Sequence, residues 1–126
     1  MKILKIKLFW LTPLFFLSSV LSAQWVQKGN DIDGEAPVDF SGSRLSMPDA
    51  NTVAISAKEN DGGGSQSGHV RIFSWNGNTW VQKGQDIDGN AWDRLGYSVS
   101  MPNANTVAVG ANQNYGPPPD TGYAPV

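Results

Sequence analysis

Cysteine is missing from the 126 residues and histidine occurs once, as His69. The first absence excludes disulfides, thiolate metal sites and cysteine nucleophiles, so the fold rests on burial and backbone pairing alone. The second leaves His69 as the sole imidazole, one that would need a placed partner to act as a general base. Basic residues are few, nine against eleven acidic ones, and they form no cluster beyond the first residues. That scarcity excludes nucleic acid and anionic lipid as natural partners, since both require a positive footprint. Apolar spacing of three and four over ten residues is absent after residue 23, so the remainder is expected to be nearly all β.

What is present begins with MKILKIKLFWLTPLFFLSSVLSA. Lys2, Lys5 and Lys7 precede an apolar run from Leu8 to Leu21, and the small residues Ser22 and Ala23 follow. This order predicts a helical signal peptide over residues 1–23, cleaved after Ala23. Its core is shorter than a bilayer span and contains Pro13. The mature product is therefore expected to be secreted and free of the membrane, with retention at the cell surface through a partner as the alternative. Losing three basic residues and no acidic ones leaves it with a net charge of −5.

The stretch WVQKGNDIDG at 25–34 recurs as WVQKGQDIDG at 80–89, and SMPDANTVAISA at 46–57 recurs as SMPNANTVAVGA at 100–111. The period is 55 in the first pair and 54 in the second, so one residue is missing between Gly89 and Asp93. A period of this size marks stacked units that do not bury their own faces. Each unit reads as four strands: 41–47, 52–57, 69–75 and 79–84 in the first, with 96–101 and 106–111 as counterparts in the second. Asn76-Gly77-Asn78 forms the hairpin turn before the last strand. Val53 and Ile55 point to one side of their strand and Ala54 and Ser56 to the other, with no charge on either. Such a strand is expected to lie buried between two closely spaced sheets.

At these residues the chain resembles the FG-GAP family, the blade repeats of the integrin α-subunit β-propeller and of many exported bacterial proteins. The resemblance rests on Leu95-Gly96 and Ser41-Gly42, on Val107-Ala108-Val109-Gly110-Ala111, and on Gly68-His69-Val70-Arg71-Ile72-Phe73. It implies four-stranded antiparallel blades over residues 24–126: a closing outermost strand and acidic loop at 24–40, a complete blade with its following loop at 41–94, and a partial blade at 95–126. Gly122 aligns with Gly68, so Val126 is expected to fall in mid-strand and the ring to be incomplete. The chain is then expected to be a fragment of a larger propeller or to complete itself with other copies. The resemblance further implies a non-enzymatic role in adhesion, with a surface protein or glycan as partner. A calcium-dependent surface module and the remnant of a propeller enzyme or lectin are the alternatives.

Asp31, Asp33, Glu35 and Asp39 occupy positions 1, 3, 5 and 9 of a loop, a spacing that suits calcium with its six to eight hard oxygen ligands. In the integrin pattern such a loop lies between the FG and GAP elements, whereas here that interval is Met47-Pro48-Asp49-Ala50-Asn51-Thr52. The second copy offers Asp86, Asp88, Asn90 and Asp93. The competing reading is that these side chains bond their own turn backbone ahead of Gly34 and Gly89. His69 has Tyr123 as its counterpart and is expected at the sheet edge, on the face of Arg71, Phe73 and Trp75. Ser65, Ser67 and Asp61 near it define no nucleophile and base, so no catalytic residue is assigned. Trp25 and Trp80 recur at the repeat spacing and are expected to pack blades. Trp92, which lacks a counterpart since Pro37 occupies the matching loop, is the aromatic expected to contact a partner, and Pro117-Pro118-Pro119-Asp120 reads as an extended connection.

Overall fold

A computed structural model describes residues 23–112 and 126. The helical leader and the third strand of the second unit are expectations that fall outside or almost wholly outside these residues, as does the proline run. The described chain is all β and antiparallel, in two sheets. The first contains β1 (Ser41–Asp49), β2 (Thr52–Ala57), β3 (His69–Trp75) and β4 (Trp80–Gln82) in that spatial order, with β5 (Ile87–Asp88) also pairing with β3. The second pairs β6 (Ser98–Asn103) with β7 (Thr106–Gly110).

The turns follow from local side-chain chemistry. Asp49 Oδ1 accepts the Asn51 N–H at 2.7 Å in the β1–β2 turn, and Asn103 Oδ1 accepts the Asn105 N–H at 2.9 Å in the β6–β7 turn. Asn76 Oδ1 accepts the N–H groups of Asn78 and Thr79, closing the β3–β4 hairpin. Each is an Asx-type turn in which a short side chain replaces a backbone acceptor.

All six residues of β2 are buried, and they are divided between two cores as the alternation of small and branched side chains implies. On one face Ala54 joins Val70, Leu95, Met101 and Val109, so the two sheets meet there. The small Ala54 permits close approach, and Ser46 Oγ of β1 accepts the Met101 N–H at 2.9 Å. On the other face Val53, Ile55 and Phe73 pack with Ile32 and Trp80.

Repeat-related positions on the two sheets differ in exposure. Met101 of β6 is 6 % exposed against the first sheet, whereas Met47 of β1, its counterpart, is 55 % exposed. Leu45, the counterpart of Val99, is likewise exposed. The side of the second sheet that meets the first is therefore repeated on the first sheet without a comparable cover among the described residues.

A clasp also recurs. Lys28 Nζ donates to Ala50 O and Asn51 Oδ1 at the β1–β2 turn, and Lys83 Nζ donates to Ala104 O and Asn105 Oδ1 at the β6–β7 turn. The segment WVQKG thus hooks the hairpin of the unit that follows it. Lys28 further lies over the edge-to-face pair Trp75 and Trp80, 5.1 Å and 5.4 Å from their centroids, and Trp80 Nε1 donates to Lys28 O at 2.8 Å. Trp25 departs from expectation: residues 23–28 form no strand and its side chain is fully exposed. Trp80 lies in a strand because β3 offers it a partner, and among the described residues Trp25 has no such neighbour. Strand propensity alone does not supply the ladder.

The loops before β1 and β6 share a backbone trace that their side chains conceal. Val38, Phe40 and Gly42 have φ of 66°, 55° and 85°, and Trp92, Arg94 and Gly96 have 72°, 52° and 89°. Asp39 Oδ2 accepts the Ala36 N–H and Asp93 Oδ2 accepts the Asn90 N–H, three residues back in each case. Trp92, expected to lack a counterpart, therefore corresponds in backbone position to Val38. Gly34 matches Gly89 and Ala36 matches Asn90, so the residue without a counterpart is Glu35.

The glycine-rich loop is stitched to the second of these loops by Trp92, Arg94 and Leu95 N–H groups, which donate to Ser65, Gln66 and Ser67 carbonyls at 2.7–3.0 Å. Gly68, at φ 67°, sits where a Cβ would enter the Leu95 backbone. Gly77, at φ 101°, has open space around it. Gly68→Ala is expected to cost more than about 2 kcal/mol and Gly77→Ala about 1 kcal/mol, because only the first adds a backbone clash to the left-handed penalty. Chemical denaturation of both variants checks the difference, and equal losses would refute the close approach.

Candidate functional site

The singular features of the repeat meet at one place. His69 opens β3, a central strand paired with β2 on one side and with β4 and β5 on the other. Its side chain is 1 % exposed, not at a sheet edge as its position in the sequence suggested. The correction has a simple cause: the two-residue strand β5 returns to β3 after the WVQKG segment and places Asp88 opposite His69 and Ile87 opposite Val70. Alternation then puts Ile87 against the inter-sheet core and Asp86 and Asp88 on the histidine side.

The first acidic loop covers this same side. Arg71, two residues along β3 from His69, donates through Nη2 to Asp33 O at 2.7 Å, and its Nη1 lies 3.5 Å from Glu35 Oε1. These contacts bring the other oxygen of Glu35, Oε2, to 3.8 Å from His69 Nδ1. Asp86 Oδ2 and Asp88 Oδ1 each lie 3.9 Å from the same nitrogen. Asp86 is oriented by its other oxygen, Oδ1, which accepts from Gln82 Nε2 at 2.5 Å. The buried imidazole nitrogen Nδ1 has no hydrogen-bond partner among the described residues. Glu35, His69 and Asp86 each offer a ligand atom within 4.8 Å of the others.

Of the four carboxylates of the calcium pattern, Glu35 and Asp39 share the Asn60 amide, whose Nδ2 donates to Glu35 Oε2 at 3.4 Å and to Asp39 Oδ2 at 2.8 Å. Asp31 Oδ1 accepts from Gln27 Nε2 at 2.9 Å. Asp33 contributes its backbone carbonyl to Arg71. Asp39 is buried and accepts from Asn60 Nδ2 at 2.8 Å as well as from Ala36 N–H. Of the four, Glu35 alone enters the three-residue group with His69 and Asp86. Trp92, the residue assigned to partner contact, is 40 % exposed on its loop in left-handed backbone. The reading from sequence passed over His69, Asp86 and Asp88 as one cluster. The available signal was asymmetry within the repeat: Glu35 is the extra residue, and His69 stands where the next unit has Tyr123.

The arrangement can bind, orient or neutralise positive charge. Three carboxylates surround the histidine and one guanidinium offsets them, so with a neutral imidazole the cluster carries a local charge of −2. Compared with protein-family models, with curated proteins and with solved structures, the chain matches none.

Proposed function

We propose that this chain is a non-enzymatic, exported β-repeat module of propeller type, built like FG-GAP blades, whose sheets stack face to face with further copies of the same unit and present their loops to a protein or glycan. One observation carries the reading: β6 buries Met101 against the first sheet, while β1 holds the equivalent Met47 uncovered. An apolar face that already has one partner inside the chain is complementary to the opposite side of another such unit, and a head-to-tail contact of this kind propagates until a ring or stack closes. The recurring lysine clasp supports the same geometry, because it ties each WVQKG segment to the hairpin of the next unit. Trp92 is the residue proposed to meet the partner, since left-handed backbone holds a large aromatic side chain outward on its loop.

Sedimentation velocity of the chain purified from an exporting host tests this proposal. Concentration-dependent association is expected over the micromolar range. A single monomeric boundary together with a cooperative thermal transition would show that the exposed face needs no copy of itself.

A further inference from the structure

We propose that Glu35, His69 and Asp86 form a binding site for a first-row divalent cation of the zinc class, with Asp88 as an outer carboxylate. The inference is independent of the proposed stacking, because every ligand belongs to one chain. Its starting point is the unpartnered Nδ1 of a histidine that is 1 % exposed. A buried ring nitrogen without a hydrogen bond is costly, whether it carries a proton or a lone pair. At 3.8 and 3.9 Å the nearest carboxylate oxygens are too distant to accept a hydrogen bond from it.

Those separations suit a shared ion. Two ligands of one tetrahedral zinc ion, at bond lengths of about 2.0–2.2 Å, lie roughly 3.3–3.6 Å apart. The two distances to His69 close to that range with shifts of a few tenths of an ångström, and the full set, whose donor atoms lie within 4.8 Å of one another, closes with a carboxylate rotation of roughly 1 Å. Glu35 and Asp86 are 44 % and 29 % exposed, and the contact that Glu35 Oε2 would yield to the ion is the long one from Asn60 Nδ2 at 3.4 Å. The charge also agrees: the local −2 of the cluster is neutralised by one divalent ion. One imidazole with carboxylates favours zinc-class ions, whereas calcium prefers a shell of six to eight oxygens.

The cluster is more than an acidic patch because its parts come from three separated segments. Glu35 comes from the first DIDG loop, Asp86 from the second and His69 from the strand between them. A bound ion would therefore clip the two repeated loops to the central sheet. In the next unit Asn90 follows Gly89, and Tyr123 stands in place of His69, so that unit lacks the same set. The site is then a property of one unit and not of the repeat.

Isothermal titration of the chelator-treated full chain with ZnCl2, and separately with CaCl2, tests the assignment, with melting temperature as a second readout. One zinc ion per chain at micromolar or tighter affinity, at least tenfold weaker calcium binding and a rise in melting temperature are expected. Glu35→Gln and Asp86→Asn, both at solvent-accessible side chains, are expected to weaken zinc binding at least tenfold while remaining folded. Asp31→Asn, outside the cluster, is expected to leave it unchanged. His69→Ala removes the buried ligand, and the two carboxylate variants keep the test valid should that variant fold poorly. Absence of saturable one-to-one binding, calcium binding as tight as zinc, or full zinc affinity in Glu35→Gln and Asp86→Asn would overturn the site.

Discussion

Leu95→Ala is expected to remove about 2–5 kcal/mol of stability, enough to abolish a cooperative transition at room temperature if the domain lies at the lower end of the usual ~5–15 kcal/mol. Leu95 is completely buried, and it lies where Ala54 and Val70 of the first sheet meet Met101 and Val109 of the second. Its backbone N–H is already committed to Ser67 O at 2.8 Å, so the chain around it has little freedom to collapse into the vacated volume. A cavity that stays open adds its own cost to the lost transfer energy. Leu45, 60 % exposed on β1, is the control. At concentrations where the chain is monomeric, Leu45→Ala is expected to change stability by no more than ~0.5 kcal/mol. Urea denaturation followed by tryptophan fluorescence compares the two. Similar losses would mean that the inter-sheet core is not the main source of stability.

Met47→Asp is expected to lower self-association at least about 100-fold, equivalent to ~2.7 kcal/mol, while leaving the isolated chain folded. The charge would be solvated in a monomer, where Met47 is exposed, and desolvated once a neighbouring sheet covers it. The same substitution at the repeat-related residue, Met101→Asp, is expected to unfold the chain, because there the neighbouring sheet is already in place. Sedimentation velocity on the first variant and circular dichroism on the second measure the two outcomes. Association undiminished in Met47→Asp would relocate the contact to another face and remove the main support for stacked units.

The strands were legible in the sequence because their determinants are local. β2 and β3 lie where the runs Thr52–Ala57 and His69–Trp75 place them, and the branched and small side chains of β2 separate into the two cores as alternation requires. Asn76-Gly77-Asn78 makes its turn for the reason that Asn and Gly usually do. The WVQKG segments were less legible. Identical letters form strand β4 in one copy and no strand in the other, since pairing depends on whether β3 lies alongside. In the acidic loops Asp39 and Asp93 bond loop backbone, while Asp31 and Asp86 bond the side chains of Gln27 and Gln82. The 1, 3, 5, 9 spacing describes one loop, whereas the cluster around His69 draws on two loops separated by about fifty residues.

By itself the sequence determined a repeated, antiparallel β chain, because side-chain alternation, turn chemistry and a period near 55 residues are all encoded over short distances. Tertiary structure alone decided which repeated surface is covered and which is bare, and it brought Glu35, His69 and Asp86 together. Such outcomes depend on the distance between residues in space, and distance along the chain carries no record of it once a short strand such as β5 folds back on β3.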